Sequence, residues 1–182
     1  MKVTGLCGSL RQGSSNLLLL RAAAANAPPG MIVDIYEDLG TLPWFNPDLD
    51  EEGSVPPAPV AALRALLAAS DAFIICGPEY AHGIPGALKN GLDWLVSCAE
   101  LTGKPVALFN ASAAGGEFAQ RALLEVLSAM SWPVSHSASL LTPFLRKKLN
   151  PSGPFDDPVL TGPLHRALAA LADEILKART SR

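Results

Sequence analysis

The chain has 182 residues, 49% of them apolar and 17% charged, with a formal net charge of −3. That length suits one domain, residues 1–182, with a sizeable core, and the near-neutral balance gives no electrostatic case for a nucleic-acid or anionic-membrane partner. No apolar run approaches the roughly 18 residues that span a bilayer, and the N-terminus enters a strand without the basic and apolar regions of a secretory signal, so a cytoplasmic protein is expected.

Strand-like and helical patterns alternate along the chain. Residues 3–7 read as a strand, 16–26 as a helix ending before Pro28-Pro29-Gly30, and 31–36 as a second strand. Residues 40–59 are a loop rich in Pro, Asp and Glu, and 60–69 an alanine- and leucine-rich helix. The fully apolar run 72–76 fits the centre of a parallel sheet. Residues 85–97 form a helix with Pro85 in its first turn, where proline is tolerated. A fourth strand follows at 105–110, a fourth helix at 118–130, and residues 132–141 hold the fifth strand. The closing helix, 164–179, places Leu164, Leu168, Leu171, Ile175 and Leu176 on one side. Five strands each followed by a helix give a doubly wound α/β sheet with right-handed crossovers.

In such sheets ligands bind beyond the carboxyl ends of the strands, and three of those loops carry unusual chemistry. The first reads Gly8-Ser9-Leu10-Arg11-Gln12-Gly13-Ser14-Ser15-Asn16, between a strand and a helix start. Backbone amides and a helix dipole converge there on an anion. The loop lacks the lysine of a nucleoside-triphosphate loop and the Gly-x-Gly-x-x-Gly of a dinucleotide turn. Hydroxyls from Ser9, Ser14 and Ser15, the Asn16 amide and the Arg11 guanidinium suit a terminal monophosphate instead. Ser14 or Ser15 also reads simply as a helix cap, but a cap needs no cation at a helix N-terminus, where the dipole disfavours one. After the third strand comes Gly77-Pro78-Glu79-Tyr80-Ala81-His82-Gly83-Ile84-Pro85-Gly86, and after the fourth Ala111-Ser112-Ala113-Ala114-Gly115-Gly116.

Cys7, Cys76 and Cys98 show no metal or redox spacing and read as buried, inert thiols of a reducing compartment, although Cys7 and Cys76 end runs that suit neighbouring strands. His136 and His165 lack ligand spacing, so no metal is expected. His82 reads as a solvated loop residue or a proton donor, and Lys89 with Asp93 as an exposed ion pair. Trp94 reads as core or subunit interface. Trp44 and Phe45 in a proline-rich loop are costly to leave in water, so an oligomer contact using Trp44 and Trp94 is expected.

The first loop, followed by Pro78-Glu79-Tyr80 and by Ile84-Pro85-Gly86-Ala87-Leu88-Lys89-Asn90-Gly91-Leu92-Asp93-Trp94, resembles the NAD(P)H-dependent FMN reductases of flavodoxin-like fold, relatives of quinone, azo-dye and chromate reductases. Leu42-Pro43-Trp44-Phe45-Asn46-Pro47-Asp48-Leu49 resembles a further segment of that family. The resemblance implies a five-stranded sheet in the order 2-1-3-4-5 with helices on both faces. It also implies hydride transfer from NADPH or NADH through FMN to a small acceptor (a quinone, free flavin, azo compound or metal oxyanion), in a homodimer or homotetramer. Ser9, Arg11, Ser14 and Asn16, with the main chain at Ser15 and Leu17, would hold the FMN phosphate. Pro78, Glu79 and Tyr80 would line the isoalloxazine, with Ala81 and His82 continuing that wall, and Ser112, Gly115 and Gly116 would lie along another side. No catalytic side chain is implied, because the chemistry belongs to the cofactor. The family often carries Asn after Pro-Glu-Tyr, where this chain has Ala81-His82, and the loop after the fourth strand is short and alanine-rich here. Two other readings of the same loops are a non-enzymatic FMN electron carrier or redox sensor and a binding module for another phosphorylated metabolite. Steady NAD(P)H oxidation separates the enzyme from both, and flavin absorbance separates the last from the others.

Overall fold

The computed structural model describes residues 1–111, 115–142 and 158–180. Strands β1 (Lys2–Cys7), β2 (Ile32–Tyr36), β3 (Ala72–Cys76), β4 (Val106–Asn110) and β5 (Leu140–Leu141) form one parallel sheet in the order β2-β1-β3-β4-β5. This is the expected flavodoxin-like order. The helices are α1 (Ser15–Ala25), α2 (Ala58–Ala68), α3 (Gly86–Asp93), α4 (Glu117–Ala129) and α5 (Pro158–Thr180).

Every residue of β3 and β4 is buried, so both faces of the sheet centre are covered. Alternation along β3 divides the core in two. Ile74 and Cys76 pack with α1 and α5 through Leu19, Leu20, Leu164 and Leu168, while Phe73 and Ile75 pack with α2, α3 and α4 through Leu63, Leu88, Leu92 and Leu127. Each such aliphatic side chain contributes about 1.5–3 kcal/mol by leaving water. Register places Cys7 beside Cys76, Cys76 beside Phe109 and Asn110 beside Leu141, so the carboxyl ends of β1, β3, β4 and β5 share one edge. Gly8 and Gly77 let two of these ends approach closely: a Cβ on Gly8 would lie 3.1 Å from the Gly77 Cα and 3.0 Å from Leu88 Cδ2.

Several expected bounds are corrected. Helix α3 stops at Asp93 rather than residue 97, because the chain tightens there: the Leu95 and Val96 amides bond the Leu92 and Asp93 carbonyls three residues back, and the Trp94 carbonyl accepts from Arg64 Nε at 3.0 Å. The fifth strand contracts to Leu140–Leu141. Upstream, only a bridge between Val134 and Val106 forms, and residues 135–139 turn on hydroxyl bonds; the Ser139 hydroxyl accepts the Leu108 amide at 3.0 Å in place of a strand carbonyl. Helix α5 begins at Pro158, before the expected residue 164, and Leu176 faces water at 50% exposure while Leu164, Leu168, Leu171 and Ile175 are buried.

The loop from residue 40 to 59 is held down by α3. Asn90 Oδ1 accepts the Phe45 amide at 2.8 Å, and Asn90 Nδ2 and Trp94 Nε1 both donate to the Pro43 carbonyl, at 3.0 and 2.8 Å. Phe45 meets the Trp94 ring edge-on at 5.1 Å. Trp94 is 0% exposed, which corrects the expectation that it forms an oligomer surface: its indole is spent inside the protomer. Arg64 bonds Asp50 at 2.7 Å and fastens the far end of the loop. Lys89 and Asp93 form the expected ion pair on the α3 surface.

At the opposite edge, Arg179 of α5 makes two 2.8 Å bonds to Asp71, which also accepts the Lys2 amide at 2.7 Å. Burial pushes the Asp71 carboxyl up, but the Arg179 and Lys2 bonds outweigh it and hold the group below the ordinary carboxylate value. A depressed carboxyl contributes stability above its unfolded pKa, about 3.9, and loses it as pH falls through the lower folded value. Asp71→Asn is therefore expected to cost about 0.5–1 kcal/mol at pH 7, an allowance discounted for solvent screening. That difference should shrink below about pH 4. Urea unfolding at pH 7 and pH 3 checks this, and an equal gap at both would contradict it.

Candidate functional site

At the N-terminus of α1 the Ser14 side chain caps the helix, accepting the Asn16 amide at 3.2 Å, and the Leu18 amide returns to the Ser14 carbonyl at 3.0 Å. The cap reading of Ser14 is thus correct, and it leaves donors over. Among the described residues, the amides of Ser15 and Leu17 meet no protein acceptor. Gly13 takes a positive φ of 65°, which bends the chain into the helix. The Ser9 hydroxyl oxygen lies 3.4 Å from the Arg11 amide, and the exposed Arg11 guanidinium has no carboxylate partner among the described residues. Orphan amides at a helix N-terminus beside an unpaired guanidinium form a cradle for an anion, and a phosphate fits this donor set. The loop opens on a cleft of about 560 Å³, lined by Ser9, Arg11, Gly13 and Leu17 and across from them by Glu37 and Asp38. Glu37 is paired with Arg21 at 3.2 Å.

Asn16 plays a part not anticipated from its place in the loop. It is buried, and its Oδ1 accepts the Ala111 amide at 3.1 Å and the Cys76 thiol at 3.3 Å. One side-chain oxygen thus joins the start of α1 to the ends of β3 and β4, leaving only the Asn16 amide nitrogen for a ligand. Beneath it, burial pushes the Cys7 thiol up, and Cys76 rises further through burial and its Cys7 neighbour. All three cysteines are free and buried, as expected of inert thiols.

The loop after β3 is a tight hairpin. Tyr80 and Gly83 exchange two backbone bonds, at 3.1 and 2.9 Å, around Ala81 and His82, whose φ angles are 49° and 58°. Two positive φ values define a type I′ turn, which Asn-Gly fills without strain; with non-glycine residues each position costs on the order of 1 kcal/mol. Tyr80 is 55% exposed and meets no other ring among the described residues. His82 is stacked on Phe118 of α4, with centroids 4.1 Å apart and planes at 19°, rather than standing free in solvent. Glu79 Oε2 accepts the Ala119 amide at 3.0 Å. It thereby caps α4, whose N-cap Gly116 has no side chain to do so.

Gly115 and Gly116 both adopt positive φ, at 85° and 72°. Asn110 Nδ2 donates to the Gly115 carbonyl at 2.9 Å, and a Cβ on Gly116 would lie 2.6 Å from that nitrogen, so this close approach requires glycine. Ser112 lies outside the described residues. The strand ends therefore gather Ser9 to Leu17, Pro78 to His82 and the Gly115-Gly116 pair at one edge of the sheet. Sequence reasoning missed Asn110 and Phe118. An Asn closing an apolar strand ahead of a Gly-Gly pair was the available signal for the first; Phe118 carried none.

The sequence profile described as NADPH-dependent FMN reductase matches residues 1–144. A quinone reductase of Escherichia coli K12 is 32% identical over 155 residues, covering 83% of this chain and 82% of the relative. A probable NADPH:quinone oxidoreductase 2 of Oryza sativa subsp. japonica is 43% identical over 97 residues, 52% of this chain. That match spans 47% of the rice protein, so the chain covers about half the length of this relative. Among solved structures, the flavoenzyme NAD(P)H:(acceptor) oxidoreductase FerB of Paracoccus denitrificans superposes with a TM-score of 0.76 at 25% identity, over 97% of this chain and 98% of that one. With the sheet order and the donor-rich loop before α1, these matches place the chain in the NADPH-dependent FMN reductase family.

Proposed function

We propose that residues 1–182 act as one FMN-binding domain that passes hydride from NADPH or NADH to a small acceptor, a quinone first among free flavin, azo compounds and metal oxyanions. The observation that carries this reading is the cradle itself: amides at Ser15 and Leu17 and the Arg11 guanidinium, without acceptor or carboxylate among the described residues, at the edge where the loops after β3 and β4 begin. Bound FMN would accept and return the hydride. The protein's part is binding and placement. Ser9, Arg11, Ser14 and Asn16, with the Ser15 and Leu17 amides, hold the phosphate. Pro78, Glu79 and Tyr80, with Ala81 and His82, form one wall for the ring, and Gly115 and Gly116 another. No side chain is assigned as acid, base or nucleophile. Purified protein should carry flavin absorbance and oxidise NAD(P)H with a quinone. Donor and acceptor using one ring face in turn should give parallel double-reciprocal plots. Intersecting lines would rule out the shared face, and absence of any NAD(P)H oxidation would rule out the activity.

The same reading includes a homodimer or homotetramer in the cytoplasm. Three free buried thiols suit a reducing compartment, and no helix among the described residues is long and apolar enough to cross a membrane. Support for assembly rests on Trp44, 79% exposed on a loop that Asn90 and Trp94 pin in place. A rigidly displayed indole is a strong interface anchor. Trp44→Glu should lower both the oligomeric mass and the flavin retained, measured by light scattering with flavin absorbance. A wild-type monomer at micromolar concentration that holds FMN and turns over would exclude this assembly.

A further inference from the structure

We propose that His82 is a positioning residue: its ring, stacked on Phe118, latches the strained turn after β3 onto α4 and so fixes Tyr80 and the wall that faces the flavin. This rests on the flavin reading above for its consequence, though not for its geometry. Consecutive positive φ values at Ala81 and His82 persist only where the surroundings over-determine them. The hairpin's own two bonds, between Tyr80 and Gly83, lie at a surface where Ala81 and His82 are exposed. Two tethers reach across to α4. One is the Glu79 carboxylate on the Ala119 amide, which precedes the turn and cannot hold its tip. The other is the His82 ring at the tip, 4.1 Å from Phe118.

The stack is not core packing, since Phe118 remains 47% exposed. Its ring is in turn met by the Arg121 guanidinium at 5.7 Å, which restrains Phe118 on the helix. The position of the turn on α4 is therefore set by these tethers. A glycine at residue 82 would relieve the strain at that position but would have no ring to latch. The chain accepts the costlier turn and gains a second attachment for the loop.

The test separates ring from backbone. In flavin-free protein, Phe118→Ala leaves the turn residues intact and should speed amide exchange at Tyr80 and Gly83 about three- to ten-fold, the scale of one aromatic stack. In flavin-loaded protein, His82→Gly relieves the backbone and removes the ring. It should weaken FMN about three- to ten-fold and change the visible circular dichroism of the bound flavin, without lowering the melting temperature. His82→Phe should restore FMN affinity to within about two-fold of wild type, because it keeps the stack. Unchanged exchange in Phe118→Ala overturns the proposal. So does a His82→Gly protein with wild-type flavin affinity and spectrum, or a His82→Phe protein as impaired as His82→Gly. Should wild type bind no FMN, the functional reading fails, and the exchange measurement alone decides the latch.

Discussion

Lys104→Met is expected to lower the melting temperature by about 5–15 °C, from a loss of about 2–4 kcal/mol. Lys104 is only 4% exposed, yet it lies at the start of β4 among apolar neighbours. Its ammonium donates to the carbonyls of Leu67, Ala68 and Ser70 at 2.9, 2.7 and 2.8 Å. These groups stand at and just beyond the end of α2, where partial negative charge gathers, and the Leu67 carbonyl also accepts the Ser70 amide at 3.0 Å. Removing the ammonium leaves all three carbonyls without that charged donor, which costs more than the charge's own burial returns. The measurement is calorimetry of the purified variant, with FMN affinity as a control. Lys104 lies at the opposite end of the sheet from the phosphate loop, so affinity should hold while the protein is folded. A melting point within a degree of wild type would show that the three contacts contribute nothing net.

Arg11→Ala should weaken FMN about ten- to a hundred-fold, or roughly 1.5–3 kcal/mol, and leave riboflavin nearly untouched. The guanidinium is exposed and carries no carboxylate partner among the described residues, so its removal breaks no ion pair of the protein's own. What it loses is a charged hydrogen bond to a group that riboflavin lacks. Fluorescence titration with the two ligands reads the difference directly. Equal losses for both would mean that Arg11 acts on the fold of the loop rather than on phosphate, and would move the anion elsewhere in the cleft.

The fully apolar β3 and the strand-to-helix loop before α1 were legible because each is a local pattern, a continuous apolar run and a dense set of donors, whereas the sheet order came with the family resemblance. What escaped are pairings between distant segments. Nothing near Glu79 announces that its carboxylate caps a helix starting at Glu117, because the vacancy it fills is created by Gly116. Likewise the motif around Asn90 and Trp94 reads as family identity, while the structure gives it a mechanical task, holding Pro43 and Phe45. Trp94 was open between core and interface because its helix face is apolar in either case. Only the Pro43 carbonyl decides for the core. The fifth strand was overdrawn because residues 132–141 alternate plausibly, whereas the Ser135 and Ser139 hydroxyls compete for the backbone bonds that a strand would need.

The carbonyl oxygen of Asn16 has a consequence for how this end of the sheet can diversify. By holding both the Ala111 amide and the Cys76 thiol, it stitches the start of α1 to the ends of β3 and β4. The helix start and the strand ends are therefore not interchangeable modules. A substitution at residue 16 would be inherited, through the Ala111 amide, by the end of β4, whereas the Arg11 side chain, with no such bond among the described residues, is the position of this loop that can drift alone.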